Sequence, residues 1–138
     1  MGWLAAAAPV IAEIGKAHQY LVSSAVSFEM DAAARALTVD PTPMLEVYRA
    51  RRKRVLAALD AMGLDAVEPA GAFYTFPSIK QFGLTSEAFC IKAIKEANVA
   101  LVPGDCFGTE GHIRLSYCVS DQDLDEGLRR LSTFVSTL

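Results

Sequence analysis

Val99-Ala100-Leu101-Val102-Pro103-Gly104 and Gly111-His112-Ile113-Arg114-Leu115-Ser116-Tyr117, joined by the loop from Asp105 to Glu110, decide the reading of this chain. Both stretches read as strands, and the loop between them reads as the rim of a pocket. A strand turns successive side chains to opposite faces, so Ile113, Leu115 and Tyr117 share one face and His112, Arg114 and Ser116 the other. Arg114 thus leaves the apolar layer. A guanidinium on a strand is well placed to grip a carboxylate, because its planar fork donates two parallel hydrogen bonds and keeps its charge. A solvated arginine on a half-exposed sheet gives the same pattern. Spacing alone leaves both readings open.

The chain has 138 residues, enough for one domain with a real core. Its hydrophobic fraction of 52% and mean hydropathy of +0.27 are high for a free-standing soluble domain, yet no apolar run is long enough to span a bilayer. The formal net charge of -3 gives no electrostatic reason to expect nucleic acid as a partner. The three cysteines, Cys90, Cys106 and Cys118, are widely spaced and odd in number. They read as free thiols of a cytoplasmic protein, not as disulfides or metal ligands. No charged segment precedes the first apolar stretch, so no signal peptide is expected.

From the start of the chain, Met1 to Ala6 resembles the end of a strand whose beginning is absent. Pro9 opens a helix on which Val10, Ile11, Ile14, Ala17, His18 and Leu21 recur at helical spacing. Ser23, Ser24 and Ser27 make a polar break before a second helix, about Phe28 to Leu37, rich in alanine. Pro41 and Pro43 mark a boundary. The longest helix is expected from Pro43 to Met62, with Leu45, Tyr48, Val55, Leu59 and Met62 on one stripe that Arg52 interrupts. Arg49, Arg51, Arg52, Lys53 and Arg54 form a basic run along it. In an acidic chain with no interleaved aromatics, that run reads as a solvated helix face, with nucleic-acid binding the sharper alternative.

Gly63 stops this helix, and Gly71 to Pro77 reads as a strand. Thr85 caps a helix through about Asn98, with Phe89, Cys90, Ile94 and Ala97 inward. Ser120 caps a last helix whose Leu124, Leu128, Leu131 and Val135 fall on one face. The expected fold class is α/β: one long linking helix, then helices packed on a small, mostly antiparallel sheet.

Gly71-Ala72-Phe73-Tyr74, Val99-Ala100-Leu101-Val102-Pro103-Gly104 and Ile113-Arg114-Leu115-Ser116-Tyr117, in this order, resemble the C-terminal third of class I/II aminotransferases. These are pyridoxal-phosphate enzymes of fold type I. The helix carrying Tyr48-Arg49-Ala50-Arg51-Arg52 is similar to the one linking their two domains. The stretch from Gly2-Trp3-Leu4-Ala5 to His18-Gln19-Tyr20-Leu21 is similar to the segment after their cofactor lysine. The resemblance covers essentially the whole chain, and its His18-Gln19-Tyr20 version is similar to the methionine, glutamine and kynurenine aminotransferases. It implies that residues 1–38 belong to the large domain and 39–138 to the small domain. It further implies that Arg114 grips the α-carboxylate of an amino acid or 2-oxo acid and that Phe73 lines the pocket. A strand aromatic such as Phe73 fits a core position equally well. Ser23 or Ser24 falls near a loop that, in the family's dimer, reaches the partner's cofactor site. His112 and Tyr117 gain no role; Tyr117 reads as core.

Transamination requires a lysine amine that forms a Schiff base with pyridoxal phosphate. In the family that lysine lies in a Ser-x-x-Lys context upstream of the Gly-Trp segment. Lys16, Lys53, Lys80, Lys92 and Lys95 match none of the cofactor positions. The expectation is therefore a chain that keeps the substrate clamp without the reaction centre and is inactive alone, with no specific cofactor binding and no metal. Three explanations stand: a fragment of an aminotransferase, half of a split enzyme, or a non-catalytic binding or scaffold module. The apolar Gly2 to Leu37 segment further predicts association with a missing large domain or with a second copy.

Overall fold

The computed structural model describes all 138 residues, which form two compact units, Met1–Pro41 and Thr42–Leu138. The first unit is helical. α1 spans Ala8–Leu21, with proline in its first turn where an N–H has no helical partner, and α2 spans Ser27–Ala36. No residue of either helix is buried. The strand expected at Met1 to Ala6 does not form. A strand needs a neighbour for its N–H and C=O groups, and the first unit holds no strand to pair with it.

In the second unit, α3 (Thr42–Ala61) is followed by β1 (Tyr74–Thr75), a 3₁₀ turn (Lys80–Phe82) and α4 (Ser86–Ala97). β2 (Val102–Pro103), a second 3₁₀ turn (Gly104–Phe107), β3 (Ile113–Ser116) and α5 (Asp121–Val135) complete it. The sheet order is β1-β3-β2 and both pairings are antiparallel. This is the expected α/β class, with helices on a small antiparallel sheet.

The two outer strands are shorter than their sequence suggests. Tyr74 pairs with Ser116 and Thr75 with Leu115, but Pro77 has no N–H to continue the ladder. Its carbonyl instead accepts from the Ile113 N–H at 3.1 Å. On the other side Val102 pairs with Arg114 and Pro103 with Ile113. Val99 does not join them, because its N–H donates to the Ala93 carbonyl at 3.3 Å and closes the end of α4.

The core gathers Val55 and Leu59 from α3, Phe89 and Ala93 from α4, and Ile113, Leu115 and Tyr117 from the β3 segment. Leu124, Leu128, Leu131, Phe134 and Val135 cover them from α5. Burying a side chain of this size contributes about 1.5–3 kcal/mol, and α5 makes that contribution mainly by packing on α4 and α3. Ser120 starts it by accepting from the Asp123 N–H at 3.1 Å. Thr85 does the same for α4 with Ala88. Gly63 ends α3 at φ 69°, where the Leu64 and Gly63 N–H groups return to the carbonyls of Leu59 and Asp60, both at 2.9 Å.

Two inward assignments fail. Ile94 is 50% exposed, because Phe89, Cys90 and Ala93 set the buried face of α4 and Ile94 lies a further 100° round. Leu45 is also exposed, in the first turn of α3, ahead of the core contacts at Val55 and Leu59. No helix is long and apolar enough to cross a membrane.

Candidate functional site

β3 is the central strand, so its side chains are held from both sides by neighbouring backbone. Its alternation is as expected: Ile113, Leu115 and Tyr117 are buried, whereas His112 and Arg114 are half-buried and Ser116 is exposed. Around Arg114 the face is aromatic. The guanidinium carbon lies 4.7 Å from the centre of the Phe107 ring and 5.3 Å from that of Tyr74. Tyr74 sits opposite Ser116 on β1, which makes it a diagonal neighbour of Arg114 within reach of a long side chain.

Phe107 comes from the loop that the sequence places at the pocket rim. That loop is tied down at both ends. The Gly104 N–H donates to the His112 carbonyl at 2.8 Å and the Thr109 N–H to the Gly104 carbonyl at 3.0 Å. A side chain at Gly104 would place its Cβ 2.5 Å from the His112 carbonyl oxygen and against that of Thr109, so only glycine fits. At the far end the Glu110 carboxylate accepts from the Ser86 N–H at 2.6 Å and the Gly111 N–H at 3.0 Å. Those two backbone donors hold the carboxyl below the usual carboxylate range. The buried Ser86 hydroxyl accepts from the Gly111 N–H as well, at 2.9 Å.

The other arginines are spent on internal bonds. Asp121, in the first turn of α5, accepts from Arg51 and from Arg54, each at 2.8 Å, and Arg54 also reaches Asp125. The Arg51 and Arg54 guanidinium groups hold the Asp121 carboxyl low. Arg52 donates to the Pro69 carbonyl at 2.7 Å, and Arg49 pairs with Glu46. Arg51, Arg52 and Arg54 therefore tie α3 to its neighbours, whereas Arg49 pairs within the helix and Lys53 is exposed, as a solvated face would have it. Arg35 donates to Thr38, while Arg129 and Arg130 share Glu126. Of eight arginines, only Arg114 has a side chain that donates to nothing in the chain.

Phe73 is 46% exposed and not a core residue. Its ring meets that of the adjacent Tyr74 edge-on at 5.6 Å and that of Tyr48 at 6.4 Å, so it touches the Arg114 cluster only through Tyr74. His112 stacks on Phe76 at 5.5 Å and 5°, with Nδ1 3.2 Å from the Glu110 carbonyl. Ser23 and Ser24 lie in the first unit, in the exposed turn between α1 and α2, where Ser23 has φ 60°. Burial pushes the Cys90 thiol up to about 11, helped by Asp105 and Cys106. Cys106 and Cys118 are exposed, and all three cysteines are free. No group of three or more His, Cys, Asp or Glu side chains could hold a metal ion. Sequence reasoning missed Phe107 as a neighbour of Arg114. The available signal was an aromatic placed in a glycine-bounded loop, where exposure costs most and function concentrates.

The profile of "Aminotransferase class I and II" matches residues 1–131. The chain belongs to this aminotransferase family. It is 47% identical over 140 residues to a probable N-acetyl-LL-diaminopimelate aminotransferase of Bacillus subtilis, covering 98% of this chain and 36% of that one. It is 40% identical to an aspartate aminotransferase of Pyrococcus abyssi, covering 95% and 36%. The crystal structure of an aromatic aminotransferase from Pyrococcus horikoshii matches with a TM-score of 0.86 and 38% identity, over 96% of this chain and 38% of that one.

The chain thus spans just over a third of the length of the curated aminotransferases it matches. The family uses pyridoxal phosphate, and the lysines present do not fit that cofactor. An amine that attacks its aldehyde must be held at one place and partly desolvated. Lys16 is paired with Glu13 at 2.7 Å on the surface of α1. Lys92 lies 3.8 Å from Glu96 and 5.9 Å from the Phe134 ring centre. Lys53, Lys80 and Lys95 are exposed. The surface grooves of about 410, 400 and 270 Å³ in the second unit are lined by no lysine and not by Arg114.

Proposed function

We propose that these residues supply the carboxylate-gripping part of an amino-group transferase site. In this reading Arg114 holds the α-carboxylate of an amino acid or of its 2-oxo acid. The observation that carries it is the unspent fork: a permanent charge on a rigid central strand, among aromatic rings, with every N–H donor available. A carboxylate taken up there receives two parallel charge-assisted hydrogen bonds and loses rotational freedom, which leaves its α-carbon presented in one orientation. Phe73 forms part of the pocket wall. Ser23 and Ser24 belong to a loop that reaches a cofactor site on a partner subunit.

The reactive amine comes from outside these 138 residues, either from the remaining length of the family fold or from another polypeptide. Residues 1–38 take the part of the large domain and 39–138 that of the small domain. By themselves the 138 residues bind a carboxylate and do not transaminate. The three free thiols suit a reducing cytoplasm.

Calorimetric titration of the chain with 3-phenylpropanoate, a carboxylate that cannot form an imine, tests this reading. Arg114→Lys keeps the charge and loses the fork, so binding should weaken about 10–100-fold. Equal affinity in the two proteins would remove Arg114 from the site. Mixed with pyridoxal phosphate, an amino acid and a 2-oxo acid, the chain should add nothing to the turnover of free cofactor. Added turnover would show that one of its own lysines serves.

A further inference from the structure

The carboxylate reading leaves the rings beside Arg114 unexplained. An arginine without a hydrogen-bond partner samples many rotamers, and a fork that wanders binds poorly. A protein could pin it with a carboxylate or carbonyl, but that partner would occupy the donors the ligand needs. The face of an aromatic ring attracts the cation without consuming an N–H. We infer that Phe107, with Tyr74 as a second ring, is a positioning residue that holds the Arg114 guanidinium ready while leaving its donors free. This inference rests on the carboxylate reading of Arg114.

The placement of Phe107 supports it. Phe107 ends the 3₁₀ turn Gly104–Phe107, and Gly108 at φ 72° then reverses the chain with its N–H on the Asp105 carbonyl at 2.8 Å. The Phe107 ring meets Phe76 edge-on at 6.0 Å, and Phe76 stacks on His112. His112 lies two residues before Arg114, on the same face of the β3 segment. The contacts therefore run from His112 through Phe76 and Phe107 to Arg114, beginning and ending on one strand. Phe107 is nevertheless 48% exposed, more than core packing would leave it.

The test uses the intact chain labelled with ¹⁵N, with the Arg114 Nε–H signal assigned by its loss in Arg114→Ala. Phe107→Leu keeps an apolar side chain without the ring, and Phe107→Tyr keeps the ring. In the unaltered protein the Arg114 Nε–H should be ordered and its side-chain protons displaced by ring currents. Phe107→Leu should lower the order, abolish the displacement and weaken 3-phenylpropanoate binding about 2–5-fold, the value of one cation–π contact at a half-exposed site. Phe107→Tyr should restore all three. Unchanged order and displacement in Phe107→Leu would overturn the inference, as would equal losses in both variants. If Arg114→Lys binds the probe as well as the unaltered chain, the carboxylate reading fails instead. The order of the Arg114 signal still decides whether Phe107 positions it.

Discussion

Leu115 and Arg114 are consecutive on β3, yet they face different chemistries. Leu115 is 6% exposed and sits among the side chains of α3, α4 and α5. Arg114 stands on the opposite face, among rings, with its hydrogen-bond donors unspent. The pleat of a central strand thus separates what holds the unit together from what the unit can bind. Both faces use the same backbone ladder, so the position of Arg114 derives from the burial of its neighbours. The core face should therefore answer to stability measurements and the polar face to binding measurements.

Exchanging the two neighbours for alanine is the strongest way to break this division. Leu115→Ala leaves a hole in the core and should cost about 2–5 kcal/mol in chemical denaturation. Arg114→Ala gives up two half-exposed ring contacts and should cost about 1 kcal/mol, well short of the loss at Leu115, while carboxylate binding disappears. Comparable destabilisation by both would mean that Arg114 is structural and that the two faces are not separate.

Much of this division is legible in the sequence, for a physical reason. Period-two alternation from Ile113 to Tyr117 and helical spacing from Leu124 to Val135 are both enforced by burial, which writes itself into residue type. Strand length is not so written. Val99 to Leu101 has good strand composition, but its first N–H is taken by the end of α4, a partner that no local pattern announces. Ile94 was misplaced because an apolar residue on the flank of a helix looks the same whether or not a neighbour reaches it. Arg114 is marked by alternation as leaving the core. The rings that surround it come from β1 and from the loop, and meet only through the fold.

Thr75 is a polar residue on the core face. It pairs with Leu115 and is 2% exposed, and its Oγ1 is buried with no hydrogen-bond partner. A desolvated hydroxyl without a partner costs about 1–3 kcal/mol. Valine has nearly the same shape, so Thr75→Val should raise stability by about 1 kcal/mol in thermal or urea unfolding. A loss of stability would show that the hydroxyl finds a partner in solution and that the core face is not wholly apolar.

The smallest effect concerns the one place where the core reaches across to the polar face. Glu110 closes the loop that bears Phe107, and it does so by accepting from the first N–H of α4, a helix whose other side is core. Its carboxyl titrates below 4.5 in the folded chain because the Ser86 and Gly111 N–H groups bond the charged form. A folded-state value below the unfolded one contributes stability that is complete above about pH 4.5 and is lost as pH falls through the folded-state value. Between pH 6 and pH 3 the unaltered chain should therefore lose more stability than Glu110→Gln, whose amide carries no charge to lose. The amide shifts of Phe107 and Gly111 should move over the same interval in the unaltered chain and stay still in the variant. Parallel pH profiles would mean that the loop keeps its place without the carboxylate. The rim of the Arg114 site would then be held from β3 alone, through Gly104 and His112, and not from the helix layer.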